Sequence, residues 1–341
     1  SSASRRHGYI RRHFPQHHQP ELKKNSSMHQ PARLLFGSSA GITKVLDQCG
    51  RFARGRDPVV LEGEPGTGKT VLAEHIHRLS GRPGEFVKAS ASHIPANLEL
   101  AHLGGHSRGA YTGADHDQPG LLETAHRGTF FLDELGNASA TVQEILLQMI
   151  EDGTIRRVRE LRCRPLDVKF IFATNASLPD LIARGAFRRD LWDRLGFLKI
   201  RVPSLRDRRD EIPALLHHCL EREAVAIGLD ARPALTDELL ACLLAAPWPG
   251  NVRELENLCK HLVRYGDLGR PLDLADLPPD FVAPLGTILR RRHDESSLTR
   301  RAHEALERAQ GNKAAAARLL GISRTHLYRL LTPADETRSA V

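Results

Sequence analysis

The chain lacks any run of about 18 consecutive apolar residues, the length a membrane-spanning helix needs. It also lacks the basic, apolar and small-residue succession of a secretory signal. Neither a membrane span nor export is therefore indicated. Its five cysteines, at 49, 163, 219, 242 and 259, include no C-x-x-C pair and no zinc-ligand spacing. The chain is expected to work in a reducing cytoplasm with cysteine packed as a small apolar group. Its eighteen histidines are scattered, and the pairs His17-His18 and His217-His218 are not read as part of a metal site.

What is present is a chain of 341 residues, 40% of them apolar, enough for a large core and two or three domains. The net charge of +8 is concentrated at the ends. Residues 1–30 carry six Lys or Arg against one acid, and residues 290–341 carry eleven against six, which leaves a nearly neutral middle. A basic C-terminal region fits contact with DNA.

Two motifs specify ATP chemistry. Gly63-Glu64-Pro65-Gly66-Thr67-Gly68-Lys69-Thr70 is a full phosphate-binding loop. It follows the apolar run Val59-Val60-Leu61 and precedes a stretch with Leu72, Ile76 and Leu79 at helical spacing. The glycines let backbone N–H groups curl around phosphate, at a helix N-terminus that favours negative charge. Lys69 is expected to reach the β and γ phosphates of ATP, and Thr70 to ligate Mg2+. The second motif, Thr129-Phe130-Phe131-Leu132-Asp133-Glu134, reads as a buried parallel strand delivering two carboxylates to its C-terminal edge. Asp133 is expected to hold the Mg2+ shell and Glu134 to orient or deprotonate the attacking water. Without the loop at 63–70 it would be an ordinary strand end.

Between the two lies Gly109-Ala110-Tyr111-Thr112-Gly113-Ala114, small residues around one aromatic, suited to a mobile tip that inserts into a partner. Alone it would read as a glycine-rich hairpin with a packed tyrosine. With these motifs the chain resembles the bacterial enhancer-binding proteins, AAA+ ATPases that activate the sigma-54 form of RNA polymerase, from about residue 34 to its end.

The resemblance implies an α/β P-loop ATPase fold, a parallel sheet between helices, with an α-helical lid and a small all-α helix-turn-helix domain. It implies that residues 109–114 contact sigma-54, the family's loop having phenylalanine where Tyr111 stands. Thr174 and Asn175, ending the apolar run Phe170-Ile171-Phe172-Ala173, match the sensor that feels the γ-phosphate. Arg188 and Arg194 match the arginine-finger positions, so the active unit is expected to be a ring in which each subunit completes its neighbour's site; a surface helix laced with Arg–Asp pairs is the plainer alternative. Arg253, in Trp248-Pro249-Gly250-Asn251-Val252-Arg253, matches the lid sensor that touches nucleotide.

Two segments depart from the family pattern. Ser90 stands where an asparagine usually restrains the glutamate of the second motif. His102-Leu103-Gly104-Gly105-His106-Ser107 replaces a segment usually reading E-L-F-G-H-E.

At the C-terminus, Ala302, Leu306 and Ala309 form an apolar stripe broken by Gly311, and Lys313 to Leu320 reads as a second helix. Ala317, Gly321 and Leu327 have helix-turn-helix spacing, and Ser323 is placed to cap the next helix. Ser323, Arg324, Thr325, His326, Tyr328 and Arg329 would then meet a major groove. The segment resembles the Fis-type domain that ends these activators.

The expected organisation is a disordered basic leader over 1–30, the α/β ATPase subdomain over 31–202 and the helical lid over 203–267. A proline-bearing linker over 268–297, the DNA-binding domain over 298–333 and a tail over 334–341 follow. No receiver domain is expected ahead of the ATPase, as in the phage-shock activator type, so control is expected from an inhibitory protein in trans or from expression level. The expected activity is sigma-54-dependent activation driven by ATP on double-stranded enhancer DNA. A AAA+ remodeller or helicase acting elsewhere, or a DNA-binding regulator with lost ATPase coupling, are the other readings.

Overall fold

The computed structural model describes residues 39–229, 231–282, 305–309 and 311–321, with 323 and 327. The expected leader and tail, and the DNA-reading residues Arg324, Thr325, His326, Tyr328 and Arg329, lie outside the described residues.

A five-stranded parallel sheet is built from β1 (Val59–Glu62), β2 (Phe86–Ser90), β3 (Thr129–Asp133), β4 (Lys169–Thr174) and β5 (Lys199–Arg201). Their order across the sheet is β2-β3-β4-β1-β5. The short apolar runs become strands because both sheet faces are covered, so successive side chains enter opposite cores. Val60, Phe130, Leu132, Phe170 and Phe172 face one core with the helix Ala140–Asp152. Val59, Leu61, Phe131, Ile171, Ala173 and Ile200 face the other with helices Ala40–Ala53 and Lys69–Ser80. Register places Ser90 beside Asp133 and Glu62 beside Thr174, so the chemistry-bearing residues meet at the carboxyl edge of the sheet.

One buried charge ties the opposite end together. Lys169 is fully buried, and its Nζ donates to the carbonyls of Phe52 at 2.7 Å, Gly55 at 2.8 Å and Asp57 at 3.0 Å. It thereby closes the end of helix Ala40–Ala53 and the loop into β1. Burial pulls its pKa down to about 8.

The lid packs helices Ile212–Ala226, Asp237–Ala245 and Asn251–Tyr265 around a separate core. That core runs past Asp267 and corrects the expected linker over 268–297 as far as Val282, the last described residue of that segment. Leu272 and Leu277 are buried in it, and the Phe281 ring lies 5.2 Å from that of Trp248. Pro278 and Pro279 accordingly open a helical turn, with Phe281 N–H bonded to the Pro278 carbonyl, instead of an extended spacer.

In the C-terminal region the helix Lys313–Leu320 starts at the Asn312 side chain and stops at Gly321, whose φ of 67° suits glycine. Ala305, Ala316, Ala317 and Leu327 share one small core, the packing expected of a helix-turn-helix.

Replacing Lys169 with Met should orphan three buried carbonyls and destabilise the ATPase subdomain by about 2–4 kcal/mol. A lower urea midpoint at unchanged slope is the expected readout.

Candidate nucleotide site

The loop between β1 and helix Lys69–Ser80 is held in shape from three directions. Within it, Thr67 Oγ1 donates to the Glu64 carbonyl at 2.9 Å, and Lys69 Nζ donates to the carbonyls of Gly63 at 2.8 Å and Glu64 at 2.9 Å. Below it, the buried Arg208 donates to the Thr67 carbonyl at 3.0 Å and pairs with Glu211 at 3.1 Å; Glu211 also accepts from the Ser39 hydroxyl. Burial pushes the Glu211 carboxyl above its ordinary range.

From the lid, the fully buried Asn251 reaches across. Its Nδ2 donates to Glu64 Oε2 at 3.1 Å and to the Pro65 carbonyl at 3.0 Å, while its Oδ1 accepts from Leu205 N–H at 2.7 Å. Val252 N–H bonds to the Gly66 carbonyl at 3.0 Å. A Cβ on Gly66, which has φ of 77°, would stand 2.2 Å from the Gly250 carbonyl oxygen, so only glycine lets the lid approach so closely.

A cavity of about 250 Å3 lies at this junction. From the loop it is lined by Pro65, Gly66, Thr67, Gly68, Lys69 and Thr70, and from the sheet edge by Asp133, Glu134 and Asn175. The lid contributes Arg253 together with Leu215, His218, Cys219, Val252 and Glu256. Those last five were not read from the sequence. The signal was their spacing, since 215, 218 and 219, like 252 and 256, fall on one helix face. Burial lowers the Lys69 pKa, an effect opposed by the carboxylate of Asp133.

Glu134 adopts φ of 55°, a left-handed turn directly after β3, and its N–H bonds to Asp133 Oδ1 at 2.9 Å. That turn sets the two carboxylates side by side in the cavity wall. Hydrogen bonds from Ser92 and from Ser90, the latter at 2.9 Å, hold the Glu134 carboxyl below the usual carboxylate range. Ionised Glu134 can accept a proton, and the Thr70 hydroxyl and Asp133 carboxylate, both in the cavity wall, are oxygen donors of the kind Mg2+ favours.

Other expected residues stand apart. Gly63 and Glu64 are outside the cavity wall; Arg206 and Asn251 engage the Glu64 carboxylate. Thr174 is buried with its hydroxyl turned to the Ala176 backbone, leaving Asn175 alone to face the cavity. Arg188 pairs with Asp190 at 2.7 Å and Arg194 with Glu151 at 3.6 Å, both on the surface. Neither lines the cavity of its own chain.

Residues 109–114 cap a hairpin whose arms are Gly105–His106 and Gln118–Pro119. Gly109 N–H bonds to the Ala114 carbonyl at 2.7 Å, closing the tip, and Gly109 and Gly113 have φ of 75° and 98°. Tyr111 is 38% exposed, with its ring 4.9 Å from that of the buried His106. The aromatic is thus half packed at its base instead of projecting freely. A second hairpin, Thr154–Ile155 with Arg164–Pro165, braces the first. Arg159, at φ of 68°, donates to the Gly109 carbonyl, and Glu160 accepts from the Ser107 hydroxyl at 2.8 Å.

Gly66→Ala should force the start of helix Asn251–Tyr265 off the loop and raise the Kd for ATP at least about tenfold, a loss of roughly 1.4 kcal/mol. Calorimetric titration with ATP checks it.

Residues 35–201 match the sigma-54 interaction domain, residues 206–287 the AAA+ ATPase lid domain, and residues 303–331 the bacterial regulatory protein, Fis family. The DNA-binding transcriptional regulator NtrC of Escherichia coli K12 is 35% identical over 350 residues, covering 94% of this chain and 73% of that protein. The Psp operon transcriptional activator of the same organism is 39% identical over 241 residues, covering 70% and 74%. A crystal structure of NtrX from Brucella abortus in complex with ATP superposes with a TM-score of 0.65 at 28% identity, covering 86% of this chain and 68% of that one. With that identity sustained over so much of both chains, the protein belongs to the bacterial enhancer-binding family of sigma-54-interacting AAA+ transcription regulators.

Proposed function

We propose that the chain is a sigma-54-dependent transcriptional activator. It binds enhancer-like DNA through its Fis-type domain and hydrolyses ATP to drive residues 109–114 against sigma-54, remodelling a closed promoter complex to an open one. The observation that carries this reading is a nucleotide cavity, walled by the α/β subdomain and the lid, in the same chain as that braced hairpin. Lys69 binds the β and γ phosphates, Asn175 and Arg253 flank the γ-phosphate from sheet edge and lid, and Glu134 takes the proton from attacking water. Thr70 and Asp133 would hold Mg2+, which when bound neutralises charge on the β and γ oxygens.

Arg188 and Arg194 act on the nucleotide of an adjacent subunit. Neither lines the cavity of its own chain, which supports that assignment, and the assignment makes the working unit a ring. Ser323, Arg324, Thr325, His326, Tyr328 and Arg329 read the DNA, and dimers on paired half-sites precede ring closure.

A Tyr111→Ala variant should retain ATP turnover within about twofold yet lose capture of sigma-54 in the presence of an ATP transition-state analogue, since it removes contact area and not phosphate chemistry. Retained capture would remove the loop from the reading. Normal turnover without capture by the unaltered protein would favour a remodeller of another substrate, and specific DNA binding without turnover an uncoupled regulator.

Arg194→Ala should lower ATP turnover by roughly 10³-fold while ATP binding persists. Mixing it with a Lys69→Ala variant should restore part of the activity, because some interfaces then join an intact arginine to an intact loop. Mixtures no better than either variant would assign Arg194 to its own chain.

A further inference from the structure

The lid contains a dithiol that the ATPase reading does not use. Helices Ile212–Ala226 and Asn251–Tyr265 pack against one another, and each contributes one buried cysteine to their contact, Cys219 and Cys259. The two thiols are hydrogen-bonded to each other. Cys219 also lines the nucleotide cavity, whereas Cys259 lies behind it, outside the cavity wall. One member of the pair therefore borders the cavity, although only 2% exposed, and the other lies behind it. Cys49 differs: it is buried in the other core, and burial pushes its thiol up to about 12, an inert packing group.

We propose that Cys219 and Cys259 are a reversible disulfide site, oxidised by hydrogen peroxide that enters through the nucleotide cavity. The hydrogen bond from Cys259, and then the Arg222 guanidinium, favour the thiolate of Cys219 over that of its partner, which makes Cys219 the attacking group. Its sulfur attacks one peroxide oxygen, the O–O bond breaks, and hydroxide leaves to become water. Cys219 is then a sulfenic acid. The Cys259 sulfur attacks the Cys219 sulfur, the S–O bond breaks, and the departing hydroxide takes the Cys259 proton as a second water. Two thiols have lost two electrons and two protons, and one peroxide has become two waters.

The resulting S–S bond would join the two helices that form the lid wall of the cavity. Cys259 lies on the helix that carries Val252, Arg253 and Glu256 into the cavity. Oxidation therefore fixes the helix that carries Arg253 against its neighbour in the cavity wall, altering the lid side of the site. Bound nucleotide would cover Cys219, so the loaded protein resists oxidation and the empty one is open to it.

The test uses the full chain carrying Cys163→Ala, because Cys163 is exposed and would link separate chains. The protein is treated with hydrogen peroxide, with or without Mg2+ and a non-hydrolysable ATP analogue, quenched with N-ethylmaleimide, digested and mapped by mass spectrometry. A peptide pair joined through Cys219 and Cys259 is expected without nucleotide, about fivefold less of it with nucleotide, and a parallel loss of ATP turnover reversed by dithiothreitol. Recovery of both cysteines as separate alkylated peptides would overturn the proposal. So would equal yields of linked peptide with and without nucleotide. The map is made on a protein whose lid is unaltered, so the result does not depend on a lid substitution folding.

Discussion

The docking of Asn251 onto the phosphate-binding loop is the contact on which the remaining architecture depends. The sheet subdomain and the lid have separate cores, and each could close without the other. What joins them at the site is one fully buried amide that satisfies Glu64, Pro65 and Leu205 at once, together with a glycine that lets Gly250 come within touching distance. A buried amide with several partners holds a position better than apolar packing, because each lost partner would leave a desolvated polar group. Asn251 has φ of 54°, a conformation asparagine tolerates better than most residues. The lid is therefore registered to the loop, and Arg253 two residues later is delivered to the cavity. Arg208 performs the matching task from beneath, binding the Thr67 carbonyl and tying it through Glu211 to Ser39.

Much of this was legible in the chain. The loop at 63–70 and the strand ending in Asp133 and Glu134 are local patterns, in which neighbouring residues carry the chemistry and the periodicity carries the fold. The lid wall was not legible, because Leu215, His218, Cys219 and Glu256 are defined by how two helices cross and not by any short motif. Thr174 illustrates the limit inside a motif. Sequence places it at the strand end, but the Ala176 backbone competes for its hydroxyl and wins, leaving Asn175 to face the cavity. The lid boundary was misread for a related reason. Prolines at 271, 278 and 279 suggest a spacer, whereas Leu272, Leu277 and Phe281 carry enough apolar surface to be drawn into the lid core.

The two departures from the family pattern have physical accounts in the structure. Ser90 is a shorter side chain than asparagine, yet it reaches Glu134 at 2.9 Å, because Glu134 has turned into the left-handed region and come back towards β2. The short helical turn Ala91–His93 follows Ser90 directly, and Ser92 accepts from Asn137. From there the chain enters helix Glu99–Gly104, whose Glu99 accepts from Ser139, and that helix runs straight into the arm Gly105–His106 of the hairpin bearing residues 109–114.

Along this route Leu103 supplies the apolar anchor, fully buried against the core shared with Ile155 at the base of the second hairpin. Gly105 needs its φ of 88°, since a Cβ there would lie 2.7 Å from the Gln118 carbonyl oxygen. The segment thus keeps a buried anchor and a sharp turn while dispensing with its acids. The charges that brace the hairpins come instead from Arg157 with Glu123 at 2.7 Å and from Glu160 with Arg164 at 2.8 Å. Glu134 and Arg159, both in the left-handed region, are the strained backbone positions at the cavity wall and beneath the hairpin tip.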